Sequence, residues 1–286
     1  LGYNLSELNG DTNHAWNAIE VGTDWYLIDS TWGAGHTDES REFVREFSDY
    51  YWLAPPQQLI HTHFPEDNRW QLLSPSVTRT GFAALPELKP GFFDLGLQLP
   101  PGTTALTQVD SQTALDITAP EDVLLTAAIE QDGSRVPKTR VFSQRDESVY
   151  EVQAVFPGPG KYDLLLFAKR PDTTDSYPGV AVLTYEVKTG EPAFPGFPIT
   201  YAGFQKHGVY LYHPLQSSLP VGTTQTFKLR IPGAQEAAII IGKAWTHLGR
   251  QGDVFEGSAA IGAGQVQVCA RFDSGEMYDC LVSYND

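Results

Sequence analysis

His14 and Asp29 are the two residues of this sequence whose types and spacing could do chemistry together. The segment from Asn13 to Val21 alternates as a strand, Gly22-Thr23 reads as a turn, and Asp24 to Asp29 reads as the returning strand. A two-residue turn sets Glu20 opposite Trp25, Ala18 opposite Leu27 and Trp16 opposite Asp29. Side chains alternate between faces, so His14, Trp16 and Ala18 share a face with Leu27 and Asp29. His14 is then the diagonal neighbour of Asp29, within hydrogen-bond reach. A carboxylate in that position fixes one imidazole tautomer and stabilises the imidazolium, leaving the other nitrogen to activate a thiol or hydroxyl. The bland alternative is a structural hydrogen-bonded pair on a hairpin. No nucleophile accompanies the pair: Cys269 and Cys280 are over two hundred residues away, and Ser30 and Thr31 have no supporting motif.

The surrounding residues are less specific. Trp16, Trp25 and Trp32 are core aromatics in the simplest reading, with Trp16 and Trp32 as cleft-lining walls in the sharper one. His61-Thr62-His63 puts two histidines on one face if extended, yet no third ligand follows at a suitable spacing, so no metal and no cofactor are expected. His36 follows Gly33-Ala34-Gly35, where glycine serves turn chemistry and no phosphate-loop spacing appears. Asn4-Leu5-Ser6 is a glycosylation sequon by pattern alone.

The 286 residues carry 19 Lys and Arg against 35 Asp and Glu, a net charge of -16 that repels phosphate and argues against nucleic acid. The longest apolar run, Ala237 to Ile241, is too short to span a bilayer. Two cysteines exclude a disulfide-built scaffold and a cysteine-based structural zinc site. The expected partner is a protein, as substrate or as binding partner.

Composition divides the chain. Residues 1–78 hold five of the six tryptophans and four of the seven histidines, contain no lysine, and set twelve acids against three arginines. From about residue 79, Pro, Gly and Thr punctuate short alternating runs, the texture of antiparallel sandwiches. Pro101-Gly102-Thr103-Thr104 reappears as Val221-Gly222-Thr223-Thr224, and Val149-Tyr150-Glu151 as Val254-Phe255-Glu256. These echoes predict two similar Ig-like sandwiches, at 79–190 and 205–286, joined by a stiff Pro-rich linker at 191–204. Cys269 and Cys280 fall on consecutive strands of one hairpin, either bonded or as two unrelated thiols.

His14-Ala15-Trp16-Asn17, followed by Trp25-Tyr26-Leu27-Ile28-Asp29-Ser30-Thr31-Trp32-Gly33, resembles the second half of a transglutaminase-like domain of the kyphoscoliosis peptidase-like (hillarin-type) group. Asp49-Tyr50-Tyr51-Trp52-Leu53-Ala54-Pro55, His61-Thr62-His63-Phe64-Pro65 and Arg69-Trp70-Gln71-Leu72-Leu73 are similar to that group as well. The resemblance implies an α+β papain-like C-terminal half at 1–78 ahead of two all-β sandwiches, with the chain mostly β overall. It also implies a Cys-His-Asp triad with His14 as general base and acid and Asp29 as its orienter. The Cys would open a helix upstream, but no Cys precedes His14, so this chain alone is expected to be inactive. Two functions follow: a fragment of a cysteine peptidase or acyltransferase acting on protein Gln or peptide amides, or an inactive adaptor that binds proteins. Tandem sandwiches alone would also suit an adhesion module. A hairpin parted from its domain should leave tryptophans exposed.

Overall fold

The computed structural model describes residues 12–37, 40–171 and 176–285. The sequon at Asn4 lies outside the described residues. The first third opens with a hairpin of β1 (Asn17–Val21) and β2 (Asp24–Ile28), turned at Gly22, whose φ of 68° suits glycine. Its register, Glu20 to Trp25 and Ala18 to Leu27, is the one a two-residue turn dictates. Helix α1 (Ser30–Ala34) follows at once and stops at Gly35, which begins β3 (Gly35–Thr37), paired with β4 (Phe43–Arg45). A Cβ on Gly35 would lie 2.0 Å from the Val44 carbonyl oxygen, so only glycine fits there. Further short helices are α2 (Pro56–Leu59), α3 (Arg79–Ala83) and α4 (Pro90–Asp94).

The papain-like α+β half is not found. Among the described residues no helix exceeds five residues, and the molecule is mostly β. The physical reason is local: helices open at Asp29, Pro56 or Pro90 but lack an apolar 3.6-residue period to extend them past one turn. Among the described residues no helix is long and apolar enough to cross a membrane.

The middle of the chain supplies β5 (Glu87–Leu88), β6 (Leu106–Val109), β7 (Gln112–Thr118), β8 (Leu124–Gln131), β9 (Ser134–Arg135), β10 (Val141–Asp146), β11 (Val149–Val155), β12 (Gly160–Lys169) and β13 (Gly179–Val187). They form a sheet ordered β10-β11-β7 facing a sheet ordered β5-β13-β12-β8-β9, with β6 added in parallel to β13. Strict alternation builds the core: Tyr150, Val152 and Ala154 of β11 meet Tyr162, Leu164 and Leu166 of β12.

The last part supplies β14 (Ile199–Thr200), α5 (Ala202–Lys206), β15 (Tyr210–His213), β16 (Thr224–Arg230), β17 (Glu236–Ile241), β18 (Ala244–His247), β19 (Gly249–Gln251), β20 (Val254–Ala260), β21 (Val266–Arg271) and β22 (Asp279–Tyr284). Its sheets are ordered β14-β22-β21-β17-β18 and β15-β16-β20-β19. The sequence echoes have one structural meaning: Thr103 Oγ1 donates to the Pro100 carbonyl and Thr223 Oγ1 to the Pro220 carbonyl, both at 2.7 Å. Cys269 and Cys280 are cross-strand partners joined by a disulfide.

The Pro-rich stretch is pinned rather than free. Glu191 N–H donates to the Phe156 carbonyl at 2.7 Å, and Phe197 N–H to the Thr139 carbonyl at 2.7 Å. Phe142 and Val155 of the first sandwich pack with Phe197 and Phe204 in the core of the second. Buried Gln144 accepts from the Leu211 N–H at 2.9 Å, and Arg230 pairs with Asp146 at 2.7 Å. The two sandwiches therefore share apolar and polar contacts.

The first third leaves aromatic surface uncovered: Trp52 is 61 % exposed and Phe47 79 %, with Trp25 and Phe43 also exposed.

Candidate functional site

The hairpin sets up the site. Asp29 directly follows β2 and is the N-cap of α1: its extended backbone turns the carboxylate onto the first helical amides. Oδ1 accepts from the Thr31 N–H at 2.9 Å and the Trp32 N–H at 3.0 Å. The Asp29 backbone is fixed too, its N–H donating to the Tyr51 carbonyl at 3.0 Å. Oδ2 then faces inward. His14 Nε2 lies 2.5 Å from it and His63 Nε2 2.9 Å from it.

An ionised carboxylate only accepts, so both imidazoles donate through Nε2–H. Asp29 is 1 % exposed. Burial pushes its carboxyl up, but hydrogen bonds from His63, then His14 and the Trp32 amide, overcome this and hold it well below the usual carboxylate range. Among the described residues no hydrogen bond reaches Nδ1 of His14, whose side chain is 14 % exposed. Burial drives His63 below the ordinary imidazole range, with the Asp29 hydrogen bond opposing.

Aromatic rings frame the pair. Trp32 stacks on His14 with centroids 5.3 Å apart, and Trp16 stacks from 6.2 Å. Tyr51 backs Trp32 edge-on; its hydroxyl is pushed up to about 12 by burial and then by the Asp29 charge. A cavity of about 420 Å³ opens beside His14, lined by Trp16, Leu27, Phe64, Arg69 and Trp70. Trp16 is therefore a wall of this cavity, whereas Trp32 lines two other clefts, toward His61 and toward His36.

The structure thus brings His14, Asp29, Trp16 and Trp32 together, and adds His63. His61 points elsewhere, its Nδ1 3.0 Å from the Pro86 carbonyl oxygen. His36 is exposed beside Glu46. His63 was visible to sequence reasoning only as half of a His-x-His pair, and that pairing does not form. One ligand atom each from His14, Asp29 and His63 lie within 4.8 Å of one another, a donor set that also suits a divalent cation. Here both Nε2–H groups point at Oδ2.

Residues 79–198 match the KY-like, immunoglobulin-like domain. Mouse kyphoscoliosis peptidase is 33 % identical over 120 residues, 41 % of this chain and 18 % of that protein. Hillarin of Drosophila melanogaster is 27 % identical over 124 residues, 38 % of this chain and 15 % of that protein. The Caenorhabditis elegans Lim and transglutaminase domain protein ltd-1 is 26 % identical over 94 residues, 29 % of this chain and 13 % of that protein. Over these segments the chain is similar to these relatives, and it covers less than a fifth of the length of each.

Proposed function

We propose that this chain carries the His–Asp half of a transglutaminase-like acyl-transfer site, acting on protein Gln side chains or peptide amides. The observation that carries the reading is the 2.5 Å contact of His14 Nε2 with Asp29 Oδ2 beside an open cavity. Homology to the kyphoscoliosis peptidase group and to a relative named for a transglutaminase domain supports it. Both cysteines of the chain are bonded to each other, so the attacking thiol comes from outside these residues. The sandwiches at 79–190 and 205–286, joined by 191–204, serve as protein-binding and spacing domains.

The chemistry follows from the tautomer. Asp29 keeps the proton of His14 on Nε2, so Nδ1 is the base. Nδ1 takes the thiol proton, and the thiolate attacks the amide carbonyl to form a C–S bond. Nδ1–H returns that proton to the leaving amine as the C–N bond breaks. Water or a primary amine then attacks the thioester, with Nδ1 again taking the proton, and the thiol is released. Water gives hydrolysis; an amine gives cross-linking. Asp29 stabilises the imidazolium in both halves.

A second reading, an inactive protein-binding adaptor, is favoured by the absence of a free thiol among the described residues. The deciding experiment uses the protein at its native length, a Gln-bearing protein substrate and a labelled primary amine. Loss of about a hundredfold or more in labelling rate in His14→Ala supports acyl transfer. No labelling by the parent, with pull-down of partners unaffected by His14→Ala, selects the adaptor.

A further inference from the structure

We propose that His63 is a positioning residue of this site: its Nε2–H clamps Oδ2 of Asp29 and holds the carboxylate in the orientation that also meets His14. The inference rests on the acyl-transfer reading and deepens it.

Four donors converge on Asp29. The Thr31 and Trp32 amides hold Oδ1, and the two imidazoles hold Oδ2. The amides alone fix one oxygen and leave the second dependent on His14. His63 removes that dependence. It arrives from 34 residues away, on the turn that follows α2, where its N–H donates to the Leu59 carbonyl at 2.9 Å. Its side chain is fully buried. Trp32 meets its ring edge-on at 4.6 Å and Trp16 at 5.0 Å, so the ring has no room to swing away.

Nε2–H is spent on Asp29, and the Thr62 hydroxyl lies 2.8 Å from Nδ1 and 3.3 Å from the Leu59 carbonyl. A hydroxyl has one proton, and given to the nearer Nδ1 it satisfies both ring nitrogens in the neutral Nε2–H tautomer. This has a catalytic consequence. The His14 and His63 rings lie 5.5 Å apart, so a cationic His63 would oppose the imidazolium that forms on His14. A neutral donor fixes the carboxylate without that penalty. After the carboxylate is fixed, His14 can gain and lose its Nδ1 proton while its orienter stays in place.

The test begins with this chain, labelled with ¹⁵N-histidine, and needs no activity. The expected spectrum shows His63 as the neutral Nε2–H tautomer at neutral pH. His63→Phe should shift the His14 Nε2 proton resonance, and His63→Gln, whose amide nitrogen can donate from a similar place, should restore it. In the native-length protein, His63→Phe should lower kcat roughly ten- to a hundredfold with KM little changed, as loss of an outer hydrogen-bond partner does elsewhere, and His63→Gln should recover most of it. Three results overturn the proposal. One is an Nδ1–H or doubly protonated His63. Another is a His14 resonance unmoved in His63→Phe. The third is loss of both Nε2 protons on adding stoichiometric Zn²⁺, which marks a metal centre. If the spectra are as expected but His14→Ala leaves native-length activity intact, the acyl-transfer reading falls and His63 supports only a structural carboxylate.

Discussion

His14 meets Asp29 across fifteen residues of chain, Nε2 2.5 Å from Oδ2: one just precedes and the other directly follows the hairpin that pairs Asn17–Val21 with Asp24–Ile28 around Gly22-Thr23. The contact joins a partly open imidazole to a buried carboxylate, and the two ends should behave differently when removed.

Asp29→Ala strips the cap of α1 and leaves the His63 N–H buried without an acceptor. The cost should be about 2–5 kcal/mol, from the lost cap and the unsatisfied donor together. His14→Ala removes a donor from an acceptor that keeps three others, and should cost about 1 kcal/mol or less. Urea midpoints read by tryptophan fluorescence compare the two. Equal costs would sink the division into a structural anchor and a functional base.

Acid should unfold the first third before the sandwiches. His61 and His63 are lowered by burial, so the folded state binds fewer protons than the unfolded chain as pH falls below the ordinary imidazole value of about 6.5. Their contribution to stability is present above that pH and declines below it. Asp29 is lowered as well, so its contribution is present above about 3.9 and is lost as pH drops further. All three slopes share one sign. Unfolding free energies at pH 7.5, 6 and 4.5 should therefore decrease steadily in the fluorescence signal of the first third. A stability that rises on acidification from pH 7.5 to 6 contradicts the buried neutral histidines.

The limits of the sequence have the same physical origin as its successes. The hairpin register was legible because parity and turn length are local, and the β-sandwich strands because Tyr162, Leu164 and Leu166 alternate with outward residues. The Thr103 and Thr223 turns marked the repeat because a short hydroxyl-to-carbonyl bond needs a fixed offset of three residues. His63 was not legible as a partner of Asp29: the two are 34 residues apart, and nothing periodic links them. The papain-like half rested on resemblance alone, and the α-helices among the described residues between Ser30 and Asp94 are no more than five residues long. The Pro-rich linker read as stiff from its prolines, but the sequence did not show where it docks: the amides of Glu191 and Phe197 needed acceptors and found them on the first sandwich.

Gln144 couples the two sandwiches. Its Oε1 accepts from the Leu211 N–H at 2.9 Å, and its Nε2 donates toward Glu151, which also accepts from the Tyr210 hydroxyl at 2.8 Å. Gln144→Leu keeps much of the volume but leaves a buried amide unpaired, at about 1–3 kcal/mol. Because the lost bond bridges the sandwiches, calorimetry should show their transitions move apart. A single transition that merely shifts down would place the cost within one sandwich.

The disulfide should stabilise only the second sandwich. Cys269 and Cys280 close a loop with a sequence separation of 11, and each lies on a strand of the sheet β14-β22-β21-β17-β18. Closing so short a loop restrains little of the unfolded chain, so the chain-entropy contribution is at most about 3 kcal/mol. Cys269 is buried while Cys280 is half-buried, so reductant should reach the bond through the β22 side. Dithiothreitol should lower the unfolding midpoint of the second sandwich without altering the His63 resonance. The double substitution to alanine should reproduce the lowered midpoint and abolish any further response to reductant. A reductant effect that persists in that variant would have to arise elsewhere, and no other cysteine exists in the sequence to supply it.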